Sequence, residues 1–193
     1  MPERGFGDAM VFIDVSNLNI SVWKYNIRVD FRELNRYFKE KFGAHIQYAY
    51  CSSEPDGGSS SFHDMLELSG YRLKKYKPRV DEMGKKHEKE VDTSLSVDMV
   101  SSVLKGLTNH VVLVTRDRDM LPAVRSVQAE GARVTLVTFG MDGCDRELSR
   151  TCDEHILLSE EGDEAMGVVM FDQYCYRGMD GEVYRNVPEG VQE

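Results

Sequence analysis

The stretch VVLVTRDRDMLPAVRSVQAEGARVTLVTF, residues 111–139, contains a complete crossover unit. Val111–Thr115 is short, apolar and rich in β-branched residues, the composition of a strand buried on both faces. Leu121–Glu130 follows with helical spacing, with Pro122 tolerated in the first turn and Gly131 placed to close the helix. Val134–Phe139 then reads as a second apolar strand. Strand, helix and strand in this order predict parallel pairing through a right-handed connection.

The same alternation extends in both directions. Upstream, Ala9–Val15 is an apolar strand run, followed by a polar stretch. In FRELNRYFKEKFG, Phe31, Leu34, Phe38 and Phe42 recur at helical spacing, with Asp30 as N-cap and Gly43 as stop. His45–Cys51 has strand composition, SSEPDGGSSS is a loop, and a helix over Phe62–Leu68 ends at Gly70. Tyr71–Tyr76 reads as a basic strand, Pro78–Lys89 as an exposed loop, and Val91–Leu104 as a helix. Downstream come a helix at Arg146–Cys152 and a short apolar piece at His155–Leu158. The expected fold class is α/β, a mostly parallel sheet with helices on both faces. Past Gly162 the segments VVMFDQYCYRG and EVYRNV, separated by MDG, predict a C-terminal β-hairpin. Residues 9–159 are thus expected to form one domain and residues 160–193 a tail.

Composition narrows the functions. At 193 residues and 41% hydrophobic content, the chain can bury one substantial core. A net charge of −9 argues against a protein that coats nucleic acid over its whole surface, although a local basic patch is still compatible with that sum. No apolar run reaches the roughly 20 residues of a membrane span, and MPERGFGDAM lacks a signal-peptide core, so a cytoplasmic location is expected. Cys51, Cys144, Cys152 and Cys175 contain no CxxC pair and read as small apolar residues. The five histidines show no HxH or HxxxH spacing, which excludes the usual zinc hydrolase arrangements. Ser16 lacks a G-x-S-x-G setting.

The chemistry lies in the acids. Asp14 ends the first strand run in VFIDVSN, Asp117 and Asp119 follow the strand at 111–115, and Asp92 and Asp98 sit in EVDTSLSVDM. If the first and fourth strands are neighbours, Asp14 and Asp117 meet at the carboxyl edge of the sheet. Clustered carboxylates repel unless a cation sits among them, and oxygen-only donors suit Mg²⁺ or Mn²⁺. A common chemistry of such a centre is phosphodiester hydrolysis. Each of these aspartates also has an ordinary structural use in capping helices and turns. Asp98 lies six residues past Asp92, about 120° away around the helix, so it is expected to support the site rather than join it.

Taken in order, these landmarks resemble the NYN domains of the PIN-like nuclease superfamily, in particular the bacterial branch called LabA-like. They are Asp14 and Asn17 in D-x-x-N; Lys89, Val91, Asp92, Leu95 and Asp98 in K-x-V-D-x-x-L-x-x-D; Asp117 and Asp119 in D-x-D; and Glu147, Leu148, Asp153, Ile156 and Leu158 at the end. The resemblance covers residues 9–159 and implies a three-layer PIN-like, Rossmann-like fold. It also implies a metal-dependent ribonuclease acting on single-stranded RNA, with Asp14, Asp92, Asp117 and Asp119 as the acidic cluster. Asp14, Asp92 and Asp117 would be the Mg²⁺ or Mn²⁺ ligands, Asp119 would act through a water, and a homodimer is compatible with the family. Asn17 is placed to orient Asp14 or to donate to a phosphate.

Two departures stand out. Val15 replaces a customary Gly, and the family's S-G-D-x-D-F is here Thr115, Arg116, Asp117, Arg118, Asp119, Met120. Arg116 and Arg118 can clamp phosphate, or pair with the acids in place of a metal. The second case would give a catalytically inactive module that binds RNA or a protein partner. Between Arg72 and Lys89 lie eight basic residues, among them Lys85, Lys86 and Lys89, with Tyr76 interleaved. This tract suits a single strand of RNA. Other metal-binding folds fit less well, because Leu18 breaks an adhesion-type D-x-S-x-S, Asp14 stands where a Toprim domain has Glu, and Ser16 breaks a phosphatase D-x-D.

Overall fold

The computed structural model describes residues 9–23, 27–52, 60–77, 79–80, 86–87, 89–140, 144–159, 169–171, 175–177 and 183–185. The main sheet is built from β1 (Met10–Asp14), β3 (Ile46–Ser52), β4 (Arg72–Tyr76), β7 (His110–Val114), β8 (Arg133–Thr138) and β9 (Glu154–Leu157). Their order is β4-β3-β1-β7-β8-β9, and every pairing is parallel. The two central strands, β1 and β7, are the most uniformly apolar, and strands covered on both faces require that.

Alternation along β1 divides the core into two layers. Val11 and Ile13 pack with Leu18, Phe31, Leu34, Phe38 and Leu66, from α1 (Val15–Trp23), α2 (Phe31–Phe42) and α3 (Ser60–Leu68). Met10 and Phe12 pack with Val91, Leu95, Met99, Val124, Val127 and Leu148, from α4 (Lys89–Leu104), α5 (Leu121–Ala129) and α6 (Arg146–Thr151). The result is three layers, helices on either side of a parallel sheet. Each fully buried Leu, Ile or Phe contributes about 1.5–3 kcal/mol, so two filled layers outweigh any single local preference.

The local punctuation follows the residue chemistry. Asp30 caps α2 by accepting from the N–H groups of Arg32 and Glu33, and Gly43 ends it at φ 64°, a left-handed conformation natural to glycine. Three segments differ from expectation. The polar stretch after Asp14 is the helix α1, held by buried Leu18 and Val22, whose packing overrides the weak propensity of its Ser and Asn residues. The loop at 78–89 contains a two-stranded antiparallel ribbon, β5 (Arg79–Val80) with β6 (Lys86–His87). In the tail, β11 (Cys175–Arg177) and β12 (Val183–Arg185) pair antiparallel as the expected hairpin. β10 (Val169–Phe171) instead pairs antiparallel with β2 (Ile27–Val29), a strand between α1 and α2 that local pattern did not signal.

Candidate active site

Numbered along the chain, the six main strands run 3-2-1-4-5-6, so the connections leave β1 and β7 in opposite directions. The carboxyl ends of these two strands are therefore the topological switch point, the usual binding position in an open parallel sheet. Asp14 is the last residue of β1 and only 5% exposed. Its Oδ1 accepts from the N–H of Asn17 at 3.0 Å, capping α1. Val15 opens that helix in right-handed backbone, which accounts for a β-branched residue at this position.

On the neighbouring strand Val114 lies opposite Ile13, so the chain leaves β7 beside Asp14. Thr115 is buried, and its Oγ1 accepts from the N–H of Asp117 at 3.2 Å. The Oδ1 of Asp117 accepts from the N–H of Asp119 at 2.9 Å, capping the short 3-10 turn Arg118–Met120. Asp14 at the end of β1 and Asp117, three residues past the end of β7, thus each cap the turn or helix that follows. A carboxylate has about four lone-pair sites, so this capping is compatible with a further ligand.

Asn17 makes a contact that the sequence did not reveal. Its Oδ1 accepts from the Nε of Arg116 at 3.2 Å, joining the exits of β1 and β7 across 99 residues. Asn17 therefore orients a guanidinium with its side chain while its main chain holds Asp14. Arg118 does not clamp the acids; its Nη2 pairs with Glu147 Oε2 at 2.7 Å, and Arg125 takes the other oxygen of Glu147 at 2.7 Å. Asp119 is exposed.

Asp92 is partly exposed in the first turn of α4, which begins near the carboxyl edge because the helix carries the chain back from β4 to β7. Asp98, deeper along α4, accepts from the hydroxyl of buried Tyr50 at 2.8 Å and lies 3.6 Å from the Lys74 ammonium, a supporting position. Burial and the Asp98 carboxylate together push the Tyr50 phenol well above its ordinary range, so it acts as a donor. Lys85 lies outside the described residues, as do the side chains of Lys86 and Lys89.

The donor set at this edge is carboxylate and amide oxygen, suited to a hard divalent cation. Among the described residues no group of three or more His, Cys, Asp or Glu side chains is gathered to hold a metal. Mg²⁺ is commonly bound by one or two carboxylates, with water and substrate phosphate completing its shell, and Asp14 and Asp117 fit that mode.

A three-layer α/β sheet with aspartates beside its switch point is consistent with a PIN-like fold. The chain belongs to the NYN domain family, whose model matches residues 8–159, and NYN domains are part of the PIN-like nuclease superfamily. A crystal structure of a protein of unknown function from Vibrio parahaemolyticus is similar, with a TM-score of 0.69 over 85% of this chain and 98% of that one. At 17% identity this likeness shows the fold alone. No curated protein matches the chain. Among the described residues no helix is long and apolar enough to cross a membrane.

Proposed function

We propose that this chain is a metal-dependent ribonuclease of the LabA-like NYN branch, hydrolysing phosphodiester bonds of single-stranded RNA. The observation that carries the reading is the placement of Asp14 at the end of β1 and of Asp117 three residues past the end of its parallel neighbour β7. Asp14 and Asp117 would hold Mg²⁺ or Mn²⁺, and Asp92, which is not gathered with them into a three-carboxylate group, would reach the ion through water. When bound, the ion supplies an activated water and charge relief at the phosphate. Asp119, exposed beside Asp117, orients water through its carboxylate. The Asn17–Arg116 pair supplies fixed donors for a phosphate oxygen, and a preoriented guanidinium loses little entropy on binding. Residues 9–159 carry the activity and residues 160–193 are appended. A cytoplasmic location is supported by the free, buried thiols of Cys144 and Cys152, which suit a reducing compartment.

Cleavage of single-stranded RNA should require Mn²⁺ or Mg²⁺ and stop with EDTA. Asp14→Asn and Asp117→Asn should each lower the rate by more than about 10–100-fold, the range that outer partners of metal ligands alone produce. Cleavage that survives both substitutions in a folded protein would refute the assignment. A second reading, an inactive module that binds RNA or a protein, is favoured by Arg116, a cation next to Asp117 in the chain and bonded to Asn17, three residues past Asp14. Calorimetric titration with Mn²⁺ separates the two readings, because a charge-neutralised site takes up little metal.

A further inference from the structure

The basic tract that starts at Arg72 is split between the two faces of the sheet. β4 is an edge strand, and its register sets Arg72 beside Tyr48 and Lys74 beside Tyr50, residues that pack on the α4 side. Leu73 and Lys75 alternate to the other side, where Leu73 joins the opposite core layer and Lys75 pairs with Glu67 of α3 at 3.2 Å.

The α4-side cations are held in place. The Arg72 guanidinium donates to the Tyr48 hydroxyl at 3.3 Å, with its carbon 5.8 Å from the ring centroid. The Lys74 ammonium lies 5.7 Å from the same centroid and 3.6 Å from Asp98. Tyr48 is itself braced by Phe12, whose ring is 5.8 Å away and nearly parallel. Lysines on an edge strand ordinarily discourage strand-to-strand aggregation, and freely solvated ones suffice for that purpose. Two cations fixed on an aromatic ring are more ordered than that purpose needs. Asp98 offsets one of the two charges, and at 3.6 Å it orients Lys74 without closing a short hydrogen bond.

The stripe also points at the acidic edge. Asp14 is in register with Tyr50, and Tyr50 with Lys74, so Lys74 stands level with the first catalytic candidate, two strands away. Arg72 lies two residues further back along the strand, about 6.6 Å, a step comparable with that between successive phosphates of an extended strand.

We propose that Arg72 and Lys74, ordered on Tyr48, form a track that binds the phosphate backbone of a single-stranded nucleic acid and leads it along the α4 side of β4 to the acidic edge. The inference rests on the nuclease reading and adds to it a route and a face. Its partner is identified by charge, and contacts to phosphate carry no base information, so binding should be tolerant of sequence.

The test uses the full chain carrying Asp14→Asn, with a fluorescein-labelled single-stranded oligouridylate followed by anisotropy at several salt concentrations. Adding Arg72→Gln with Lys74→Gln should weaken binding about tenfold and reduce the salt slope by about 1.4, the value for two lost phosphate contacts on a single strand. Adding Lys75→Gln with Lys77→Gln removes the same charge from the same segment and should leave affinity within about twofold. Circular dichroism of each variant checks that the fold is kept. Equal losses from the two pairs would reduce the track to a general charge effect and overturn it, as would no loss from the first pair. In both cases the bound oligonucleotide would leave the nuclease reading standing. If the Asp14→Asn protein does not bind the oligonucleotide at all, the track and that reading fall together.

Discussion

Asp153 shows how a single residue of the family's landmark pattern works structurally. It stands between α6 and β9, and its Oδ2 accepts from the buried N–H of Val134 at 2.8 Å and from the Gln128 amide at 3.1 Å. Desolvation works to raise its pKa, but these hydrogen bonds and the nearby Arg133 charge prevail and hold it below the ordinary carboxylate value. A carboxyl depressed on folding contributes stability above its unfolded pKa and loses it as pH falls through the folded value, here below about pH 4. Asp153→Ala leaves the Val134 N–H without this partner and should cost about 1–3 kcal/mol, read from the urea midpoint at neutral pH. An unchanged midpoint would mean that water replaces the carboxylate. Glu147, another landmark, is likewise occupied, by Arg118 and Arg125. The terminal motif was therefore legible as a pattern, while its use in joining α5, α6 and β8 depends on partners distant in the chain.

At the scale of elements, legibility followed amphipathic contrast. α2 was readable because four phenylalanine and leucine positions, a capping Asp30 and a closing Gly43 agree. α1 was not, since VSNLNISVW shows only Val15, Leu18 and Val22 at helical spacing among residues of weak propensity. β2 and β10 are three residues each, too short for periodicity to register, and each exists by pairing with the other. A chain ending at residue 159 lacks β10, so its amides at residues 27–29 should exchange with solvent faster than in the full chain. Those of β1 and β7, bonded on both sides, should be unchanged. Equal protection of residues 27–29 in the two chains would show that α1 and α2 hold β2 without the tail.

For the whole molecule, pH reports how burial is distributed. His110 and His63 are both held below the ordinary imidazole pKa, in each case first by desolvation and then by a nearby cation, Arg133 and Lys75 respectively. The unfolded chain takes up protons at these positions near pH 6.5 while the folded one does not, so stability falls as pH drops from about 6.5 toward the lower folded values. Denaturation midpoints should decline between about pH 7 and pH 5, and His110→Gln should flatten part of that slope. A midpoint constant over this window would show that both rings protonate as readily folded as unfolded. The strand runs of the main sheet, most of the helices with their caps, and the positions of Asp14 and Asp117 at or just past those runs were legible in the residues alone. Periodicity and capping are local, so they can be read from neighbouring residues. That β1 lies beside β7, that Arg116 reaches Asn17, and that Arg72 and Lys74 share a face with Tyr48 came from the folded chain. Adjacency and register are fixed by hydrogen bonds and packing between segments far apart in the chain, which no local pattern encodes.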